Sequence, residues 1–407
     1  MPKKTINQVD VSGKRVLMRV DFNVPLKDGK VTDDLRIRMA LPSIESVLSR
    51  GGKLVLMSHL GRPKGEGFEK EFSLEPCAVR LAELLGSKVT PPGGVKFPSH
   101  DCIDGAATAA VNMLQNGECL LLENLRCHKA EQKGDAEFAK RLAAYGDMYC
   151  NDAFGTCHRA DASMVAVPKA MAGKPRVCGF LVEKEIRYLS DALANPKRPF
   201  VVVLGGAKVS DKLPAIEFLL PKADAIVIGG AMAYTFLKAQ GKSVGASRVE
   251  EERLGDAKKI LDHAAGGKCK LYLPGDHVCA QKFEENAPDV KTFDGDIQAG
   301  WMGLDIGPKT RAEYGNVLRS AKTVVWNGPM GVFEWAKFAE GTKAVGAALV
   351  EATKAGGVTI VGGGDSAAAA EEFGIAEKLS HVSTGGGASL EMLSGKKFES
   401  VELLDEG

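Results

Sequence analysis

Basic and polar side chains follow the apolar runs in the first half of this 407-residue sequence. The runs that share this pattern lie at 15–20, 53–57, 119–122 and 148–150. The chemically active residues that come after them are Asp21, Asn23, Arg36, His59, Arg62, Arg126 and Arg159. Ligands of open α/β sheets bind beyond the carboxyl ends of the strands. Converging guanidinium groups repel one another unless an anion joins them, and arginine suits bidentate contact with phosphate or carboxylate. The sequence therefore predicts a site for a small ligand with such groups, and Asp21 and Asn23 could hold a hydroxyl.

The strand ends of the second half are instead rich in glycine. Glycine clusters follow the apolar runs at 200–204, 225–228, 323–326, 358–361 and 381–383. Glycine lets a backbone approach a ligand closely, and helix N-termini offer free N–H groups with a positive dipole end. Several such ends side by side predict a nucleotide phosphate site, although a single glycine pair is typical of a turn.

Two charged features refine that prediction. Lys208 and Lys212 are four residues apart at the expected start of a helix, on one face of it. There they form either a clamp for phosphate or an ordinary solvated pair. Asp365 follows three glycines, where a carboxylate either faces Mg²⁺ on phosphate oxygens or caps a helix. The local sequence favours neither of these two roles.

Common nucleotide motifs are absent from the sequence. It contains no G-x-x-x-x-G-K-[ST] phosphate loop and none of the glycine-loop, H-R-D or D-F-G signatures of protein kinases. Gly362, Gly364 and Ala367 fit a loose dinucleotide fingerprint, but no acidic residue closes the next strand where a ribose needs one. An NAD-linked dehydrogenase is therefore the weaker enzymatic alternative. The non-enzymatic alternative is a two-lobed anion-binding protein, a class that is usually exported, and no signal segment is recognised here.

Composition and charge limit the class of protein. The 53 Lys and Arg residues balance 52 Asp and Glu residues, so no net field favours nucleic acid or a membrane as partner. No apolar run is long enough to span a bilayer. The nine cysteines include no C-x-x-C pair, which disfavours structural zinc and a disulfide framework and favours a reducing cytoplasm.

The elements that must position these residues alternate along the chain. Apolar runs, including one at 270–273, recur between helical patterns such as 74–85 and 135–144. Because 407 residues exceed the size of one core, this alternation predicts an α/β fold with two doubly wound (Rossmann-like) parallel-sheet domains. The amphipathic helix at 182–193 is interpreted as the connector between the domains. The alternative is an ordinary surface helix of one domain.

The motifs as a set resemble the phosphoglycerate kinase family. The matching segments run in family order over essentially the whole chain and are RVDFNVP at 19–25, SHLGRP at 58–63, LENLR at 122–126, NDAFG at 151–155, GGAKV at 205–209, GLD at 303–305, GP at 307–308, WNGP at 326–329, GVFE at 331–334, GGGD at 362–365 and SHVSTGGG at 380–387. The resemblance implies a glycolytic kinase that transfers a phosphoryl group reversibly from 1,3-bisphosphoglycerate to Mg-ADP, giving 3-phosphoglycerate and ATP. It also implies in-line transfer after domain closure, by a cytoplasmic monomer without nucleic-acid or membrane partners.

The resemblance also assigns roles to individual residues and segments. Residues in the family's glycerate positions are Asp21, Asn23, Arg36, His59, Arg62, Arg126 and Arg159. Residues in its nucleotide positions are Lys208, Lys212, Gly303, Asn327, Glu334, Gly363, Gly364, Asp365 and Ser366. The catalytic positions are those of Arg36, Lys208 and Lys212, and Asp365 faces Mg²⁺, which is held mainly by the nucleotide phosphates. The implied segments are a substrate domain at 1–180, a helix and hinge at 181–197, a nucleotide-binding domain at 198–390 and a C-terminal segment at 391–407 that returns to the first domain.

Three positions depart from the commonest family pattern. Ala231 stands where a third glycine is common, Cys127 where an aromatic residue often follows the arginine, and Ser366 where threonine is frequent. Ser366 keeps the hydroxyl group, whereas Ala231 is expected to tighten the wall of the nucleoside pocket. None of the three departures removes a charged group.

Overall fold

The chain, described for residues 2–86, 94–383 and 385–407 by a computed structural model, folds into two compact units. One unit contains Met1–Arg187 and Lys397–Gly407, and the other contains Tyr188–Lys396. The division falls inside a single long helix. The ligand-binding roles of the two units, and the role of that helix as a hinge, stay predictions.

A parallel sheet forms the centre of the first unit. The strands of this unit are β1 (Arg15–Val20), β2 (Leu26–Lys27), β3 (Lys30–Val31), β4 (Lys53–Met57), β5 (Val95–Lys96), β6 (Cys119–Leu121), β7 (Met148–Asp152) and β8 (Arg176–Cys178). The sheet has the order β5-β6-β4-β1-β7-β8, and every neighbouring pair is parallel. The strands β2 and β3 form a separate antiparallel hairpin.

Helices cover the first sheet and bury its apolar runs. They are α1 (Leu35–Ser49), α2 (Glu75–Leu85), α3 (Gly105–Met113), α4 (Lys129–Gln132), α5 (Ala136–Ala143), α6 (Val167–Ala170) and α7 (Phe180–Ala194). Val16 of β1 and Leu54 of β4 belong to one core with Ile44 of α1 and Leu81 of α2, and all four side chains are fully buried. Strands covered on both faces need continuous apolar runs, which is why these segments were recognisable in the sequence.

The second unit repeats this arrangement. Its strands are β9 (Phe200–Leu204), β10 (Ala225–Ile228), β11 (Lys270–Tyr272), β12 (Asp276–Ala280), β13 (Val290–Asp294), β14 (Met302–Ile306), β15 (Thr323–Asn327), β16 (Val358–Val361) and β17 (His381–Val382). The main sheet has the order β11-β10-β9-β15-β16-β17 and is parallel throughout. The helices are α8 (Leu213–Leu219), α9 (Met232–Ala239), α10 (Leu254–Gly266), α11 (Pro308–Ser320), α12 (Glu340–Lys354), α13 (Gly364–Glu372) and α14 (Gly387–Leu393), and α15 (Glu399–Glu402) belongs to the first unit.

The two parallel sheets with their helices confirm the predicted α/β fold class. The sequence did not predict a second sheet in the second unit, in which antiparallel strands have the order β13-β12-β14. Most of β13 is exposed, including Val290, Lys291 and Thr292. A strand with so little buried surface has no apolar run, so the pattern that identified the parallel strands does not occur in it.

The start of helix α7 is held by a buried carboxylate. Asp152, the last residue of β7, accepts hydrogen bonds through Oδ1 from the backbone N–H groups of Leu181 at 2.9 Å and Val182 at 3.3 Å. A Cβ on Gly179 would lie 2.2 Å from Asp152 Cγ, so only glycine leaves room for this contact. Burial raises the pKa of the Asp152 carboxyl to about 7, against the opposing effect of its hydrogen bonds.

This carboxyl should make stability depend on pH. It binds its proton more tightly in the folded chain than in the unfolded chain. Its contribution to the free energy of unfolding is therefore complete below pH 3.8 and is lost as pH rises through about 7. Relative to the wild type, Asp152→Asn should therefore gain up to about 1.4 kcal/mol of unfolding free energy per pH unit across this range. Urea unfolding at several pH values measures this difference.

A control with the opposite electrostatics is available in the same unit. The hydrogen bond from Arg15 lowers the pKa of Asp147, so the effect of Asp147→Asn should stay constant at pH values above its unfolded pKa. If the difference in unfolding free energy between Asp152→Asn and the wild type were also independent of pH, the raised pKa of Asp152 would be contradicted.

Among the described residues, no helix has both the length and the apolar character needed to cross a membrane.

Candidate functional site

The loops that follow β1, β4 and β6 are tied together at one edge of the first sheet. Ser58 accepts a hydrogen bond at Oγ from Phe22 N (2.8 Å) and at its carbonyl from Leu125 N (3.1 Å). The Asn23 side chain accepts from Gly61 N at 2.8 Å. The parallel order β6-β4-β1 brings these strand ends to the same edge. Their polar residues therefore form one group, as the sequence predicted.

Asp21 and Arg36 form an ion pair in this group. Nη1 of Arg36 lies 3.3 Å from both carboxylate oxygens of Asp21 and donates to the carbonyl oxygen of Asn23 at 3.1 Å. The Arg36 side chain is 37% exposed, whereas that of Asp21 is 10% exposed. One guanidinium nitrogen is thus anchored while the group as a whole still reaches solvent, where it can meet an anion.

His59 lies against a buried arginine. Arg19 Nη2 is 3.1 Å from His59 Nδ1, and both side chains are buried. Because arginine only donates, Nδ1 of His59 must accept and the ring hydrogen must be on Nε2. Burial, followed by the charges of neighbouring arginines with Arg19 first among them, lowers the pKa of His59 well below its usual value. His59 is therefore a neutral hydrogen-bond donor through Nε2.

Arg126 is a buried guanidinium with unused hydrogen-bonding capacity. Its Nη1 donates to the carbonyl oxygen of Gly61 at 3.1 Å, and its Nη2 lies 3.6 Å from Asp161 Oδ2. Its Nε and Nη2 make no hydrogen bond within the described parts of the chain. Leaving buried polar groups unsatisfied costs about 1–3 kcal/mol each. A bound anion would satisfy these two nitrogens.

Arg62 and Arg159 are both exposed. The charge of Arg159 reaches His59, whose pKa it helps to lower. For Arg62 no side-chain hydrogen bond or ion pair is found over the described ranges. A chain of contacts joins the other predicted residues of this unit, which are Asp21, Asn23, Arg36, His59 and Arg126.

The sequence prediction missed three polar residues of this group. Arg19 was part of a recognised motif but received no role, and it is a charged residue inside an apolar strand, which was the available signal. Asn124 donates through Nδ2 to the carbonyl oxygens of Leu60 (2.7 Å) and Phe72 (2.9 Å). Asp161, the acidic neighbour of Arg126, has no sequence signal because the contact spans 35 residues by loop packing.

Two glycine-rich loops of the second unit, those after β9 and β15, pack directly against each other. Gly205 N donates to the carbonyl oxygen of Asn327 at 3.0 Å, and Gly206 N donates to that of Pro329 at 3.0 Å. A Cβ on Gly205 would lie 2.1 Å from the Pro329 oxygen, and one on Gly328 would lie 2.2 Å from the Gly205 oxygen. Part of the glycine content therefore serves loop packing, which the sequence does not distinguish from phosphate binding.

A cavity of about 530 Å³ opens beside these loops. Three charged residues predicted from the sequence line it, namely Lys208, Lys212 and Asp365, together with Asp211 and Glu391. Glycine backbone from Gly205, Gly206, Gly328 and Gly387 forms much of the remaining wall. Two lysines, carboxylates and accessible backbone in one cavity suit phosphate groups accompanied by a divalent cation.

The two lysines do not lie on one helix face, so that expectation was wrong. Helix α8 begins at Leu213, with Lys212 as its N-cap residue and Lys208 in the preceding loop. Pro214 lies in the first turn, where proline is favoured at a helix start. Glu250 also holds Ser210 through its backbone N–H (3.0 Å) and its hydroxyl (2.7 Å), which keeps this segment out of the helix. What the two lysines share is the cavity, which both of them line.

Lys212 is tied to Asn327 at the end of β15. Its ammonium group donates to Asn327 Oδ1. Burial lowers the pKa of Lys212 to about 8, opposed by the charges of Asp211 and Asp365. Asn327 Nδ2 is buried and has no hydrogen-bond partner in the described residues. Like Arg126 in the other unit, it is a donor that a ligand oxygen would satisfy.

Helix α13 begins at the cavity. Its N-cap is Gly363, with a φ of +98°, and Asp365 lies exposed in the first turn, so Asp365 is not the capping residue. Ser366 is fully buried, and its Oγ accepts a hydrogen bond from Gly328 N at 2.5 Å. Ser366 therefore holds the neighbouring loop in place. The exposed Asp365 carboxylate is available to a cation.

Gly303 and Glu334 are not among the residues that line this cavity. Gly303 lies in β14 and its N–H donates to Ser247 Oγ at 2.9 Å. A Cβ on Gly303 would lie 1.8 Å from the Tyr234 hydroxyl oxygen, so packing requires glycine there. Glu334 is exposed and lies in the loop after β15. The described contacts do not join these two residues to the lysines.

Asp101, Cys102 and His128 of the first unit also have potential metal-ligand atoms within 4.8 Å of one another. Asp101 Oδ1 already lies 3.1 Å from His128 Nε2 and accepts from Ile103 N at 2.8 Å. A hydrogen-bonded turn accounts for this group without an ion.

Comparisons with known proteins agree on one family. The family model described as Phosphoglycerate kinase matches residues 6–396. A protein of Rhodopirellula baltica named phosphoglycerate kinase is 57% identical, with 100% of both chains covered. One of Chloroherpeton thalassium with the same name is 53% identical, with 99% of both chains covered. The solved structure of phosphoglycerate kinase from Coxiella burnetii has a TM-score of 0.87 at 39% identity and covers 99% of this chain and 98% of its own.

These matches span the loops and glycine clusters described above in both units. A family match over most of the chain and relatives at more than half identity leave one conclusion: the chain belongs to the phosphoglycerate kinase family.

Proposed function

We propose that this glycolytic phosphotransferase catalyses the reversible transfer of a phosphoryl group from 1,3-bisphosphoglycerate to Mg-ADP, giving 3-phosphoglycerate and ATP. The observation that carries the proposal is the buried guanidinium of Arg126, whose Nε and Nη2 have no hydrogen-bond partner within the described residues. The oxygens of an anionic ligand would satisfy these buried donors with charge-assisted hydrogen bonds.

The first unit is proposed to bind the glycerate ligand. Arg126 would bind an anionic group through its two unsatisfied nitrogens. His59 would donate from Nε2, and Asp21 and Asn23 would hold a hydroxyl or orient Arg36. The exposed Arg62 and Arg159 would add positive charge that attracts the anion from solution.

The second unit is proposed to bind the nucleotide. Lys208, Lys212 and the start of α13 at Gly363 and Gly364 would contact its phosphates, because cations and free N–H groups gather at that cavity. The Asn327 amide and Ser366, through the Gly328 loop, would support the phosphates. Gly303 and Glu334 are proposed for the nucleoside.

Mg²⁺ fits the residues at this cavity. The Asp365 carboxylate is exposed in the first turn of α13, and hard cations prefer carboxylate and phosphate oxygens. We propose that Asp365 would hold the ion together with the nucleotide phosphates. When bound, Mg²⁺ would neutralise part of the negative charge on those phosphates.

The chemistry is proposed to depend on charge and position without a general base. A carboxylate nucleophile carries no proton to remove, and phosphoryl transfer relies on alignment and on stabilising the equatorial oxygens. Arg36, Lys208 and Lys212 are the proposed catalytic residues for this purpose. Since the proposed ligands belong to different units, in-line transfer requires closure of the chain, which would also exclude water.

The proposed partners, oligomeric state and compartment rest on the charge and cysteine content of the sequence. The balanced charge supports small molecules as partners instead of nucleic acid, and we propose that the protein acts as a monomer. Nine free cysteines support a reducing compartment such as the cytoplasm.

Binding of nucleotide should depend on the protonation of Lys212. Its pKa of about 8 means that a large fraction of the amine is neutral above that pH. Phosphate oxygens next to the amine raise its pKa again, so binding at pH 8 should take up about half a proton, and the uptake should grow towards one proton at higher pH. Affinity for Mg-ADP should fall as pH rises above about 8.

Calorimetric titration in two buffers of different ionisation enthalpy measures this proton uptake. Lys212→Met serves as the matched variant and should abolish the uptake. Equal uptake by the wild type and Lys212→Met would assign the proton to another group.

The experiment that tests the proposed function is an assay of both products. Mixing the protein with Mg-ADP and 1,3-bisphosphoglycerate should form ATP and 3-phosphoglycerate in equal amounts. Release of inorganic phosphate in place of ATP, or no turnover by a folded protein that binds both ligands, would refute the proposal.

A further inference from the structure

A chain of buried polar groups lies behind His59. Glu131 in α4 and Ser163 in the π-helical turn Ala162–Ala166 both have fully buried side chains. Glu131 accepts from the Ser163 hydroxyl at 2.5 Å and, through its other oxygen, from Ser163 N at 2.9 Å. Arg19 Nε donates to the same hydroxyl oxygen at 2.9 Å. Arg19 Nη2 lies 3.1 Å from His59 Nδ1 and completes the chain.

The chemistry of the groups fixes the direction of these hydrogen bonds. The Ser163 hydroxyl has one hydrogen, which it gives to the Glu131 carboxylate, so its oxygen accepts from Arg19. Arg19 has only donors, and its Nη1 donates to the carbonyl oxygen of Val20. The remaining contact obliges His59 Nδ1 to accept, which leaves the ring hydrogen on Nε2.

Arg19 depends on this arrangement for its position. Its side chain has no exposed surface, and over the described ranges no carboxylate oxygen lies within 4.0 Å of it. A buried cation needs compensation by charge or by hydrogen bonds. Burial raises the pKa of Glu131, whereas the charge of Arg19 and the hydrogen bonds of Ser163 lower it and so favour the carboxylate. In that form Glu131 compensates the Arg19 charge through the intervening Ser163 hydroxyl. A shift of Glu131 or Ser163 would therefore move or reorient the Arg19 guanidinium that contacts His59.

We propose that Glu131 and Ser163 are positioning residues that hold Arg19 so that His59 accepts at Nδ1 and donates from Nε2 to the glycerate ligand. The inference rests on the proposed function of the first unit, since it names residues that act on that ligand through His59. The predicted site residues included neither Glu131 nor Ser163.

The first test is the tautomer of His59 in the ligand-free protein. Nitrogen NMR of the histidine-labelled wild type should show hydrogen on Nε2 and none on Nδ1 of His59. In Ser163→Ala and Glu131→Gln the ring should sample both tautomers. This measurement needs no substrate, so it stays informative even if the proposed function fails. A wild-type ring with its hydrogen on Nδ1 overturns the inference, whatever the variants do.

The second test is ligand affinity. Both variants should bind 3-phosphoglycerate about 10- to 100-fold more weakly, as for the loss of outer partners that orient metal-binding histidines. Mg-ADP affinity should not change. Ser43→Ala is the matched control, because Ser43 is also fully buried in this unit but bonds the Phe180 N–H. Folded variants with wild-type affinity and wild-type His59 signals overturn the inference.

A double-mutant cycle shows whether the effect passes through His59. Adding Ser163→Ala to His59→Ala should weaken 3-phosphoglycerate binding no further. An equal loss in both backgrounds would mean that Ser163 acts by another route and would overturn the inference. Failure of the wild type to bind 3-phosphoglycerate would instead refute the proposed function.

Discussion

Replacing Arg36 by alanine should lower kcat about 100- to 1,000-fold, because the loss of one preorganised donor to a transition state has effects of this size. Arg36 is anchored through Nη1 by Asp21 and by the Asn23 carbonyl, while its side chain stays 37% exposed. This geometry fixes the guanidinium before a ligand arrives. Its charge is then available for oxygens that become more negative during transfer. The steady-state rate of ATP formation measures the effect.

Arg38 provides the control for Arg36. It lies two residues after Arg36 in helix α1. Its side chain is 57% exposed and pairs with Asp34 through Nε at 2.6 Å. Arg38→Ala should leave kcat within about twofold, because exposed ion pairs contribute little. A folded Arg36→Ala enzyme with near wild-type turnover would remove Arg36 from the catalytic group.

Replacing Arg126 by alanine should weaken 3-phosphoglycerate binding at least about 30-fold, since truncating one partner of a buried charge pair costs about 2–5 kcal/mol. Two of its nitrogens are buried without hydrogen-bond partners in the described residues, so the ligand is expected to supply their acceptors. The change also leaves the buried Asp161 carboxylate without its cation at 3.6 Å. Equilibrium titration with 3-phosphoglycerate measures the loss.

Arg126→Lys separates charge from geometry. It keeps the positive charge beside Asp161 but loses the planar fork that allows bidentate contact. Its affinity for 3-phosphoglycerate should fall between those of the wild type and Arg126→Ala. If both variants fold and bind 3-phosphoglycerate like the wild type, the unsatisfied nitrogens do not serve that ligand.

The sequence was sufficient to predict the parallel strands and to name the residues that follow their ends. The strands β1, β4, β9, β10 and β16 have the bounds that the apolar runs predicted. Other predicted strand ends differ by up to two residues, as at β7, which continues to Asp152. Burial on both faces imposes a composition that a single sequence displays. Since neighbouring strands of the first main sheet are all parallel, strand ends such as those before Asp21 and His59 lie at one edge.

Features that depend on packing between distant segments were not predictable in this way. The close approach of Gly205 to Pro329 explains glycine by loop contact, and it involves residues more than 100 positions apart. The Glu131–Ser163–Arg19 chain likewise joins three segments by side-chain contacts. The sequence spacing of Lys208 and Lys212 suggested one helix face. Instead, Ser210 is hydrogen-bonded to Glu250, and the helix begins only at Leu213, with Pro214 in its first turn.

Buried donors without partners link the structure of each unit to its proposed ligand. Arg126 in the first unit and Asn327 in the second both keep nitrogen atoms unsatisfied over the described parts of the chain. Such atoms reduce the stability of the free protein, and ligand oxygens would restore their hydrogen bonds. This property distinguishes them from exposed residues such as Arg62, whose proposed contribution is attraction of the ligand at long range.

The central claim is that each unit binds one of the two ligands through its own residues. The most direct test is to titrate Arg126→Ala and Lys212→Met with 3-phosphoglycerate and with Mg-ADP in four separate experiments. The account predicts that Arg126→Ala loses affinity only for 3-phosphoglycerate, and that Lys212→Met loses affinity only for Mg-ADP. Loss of the other ligand by either folded variant, or no loss at all, would contradict it.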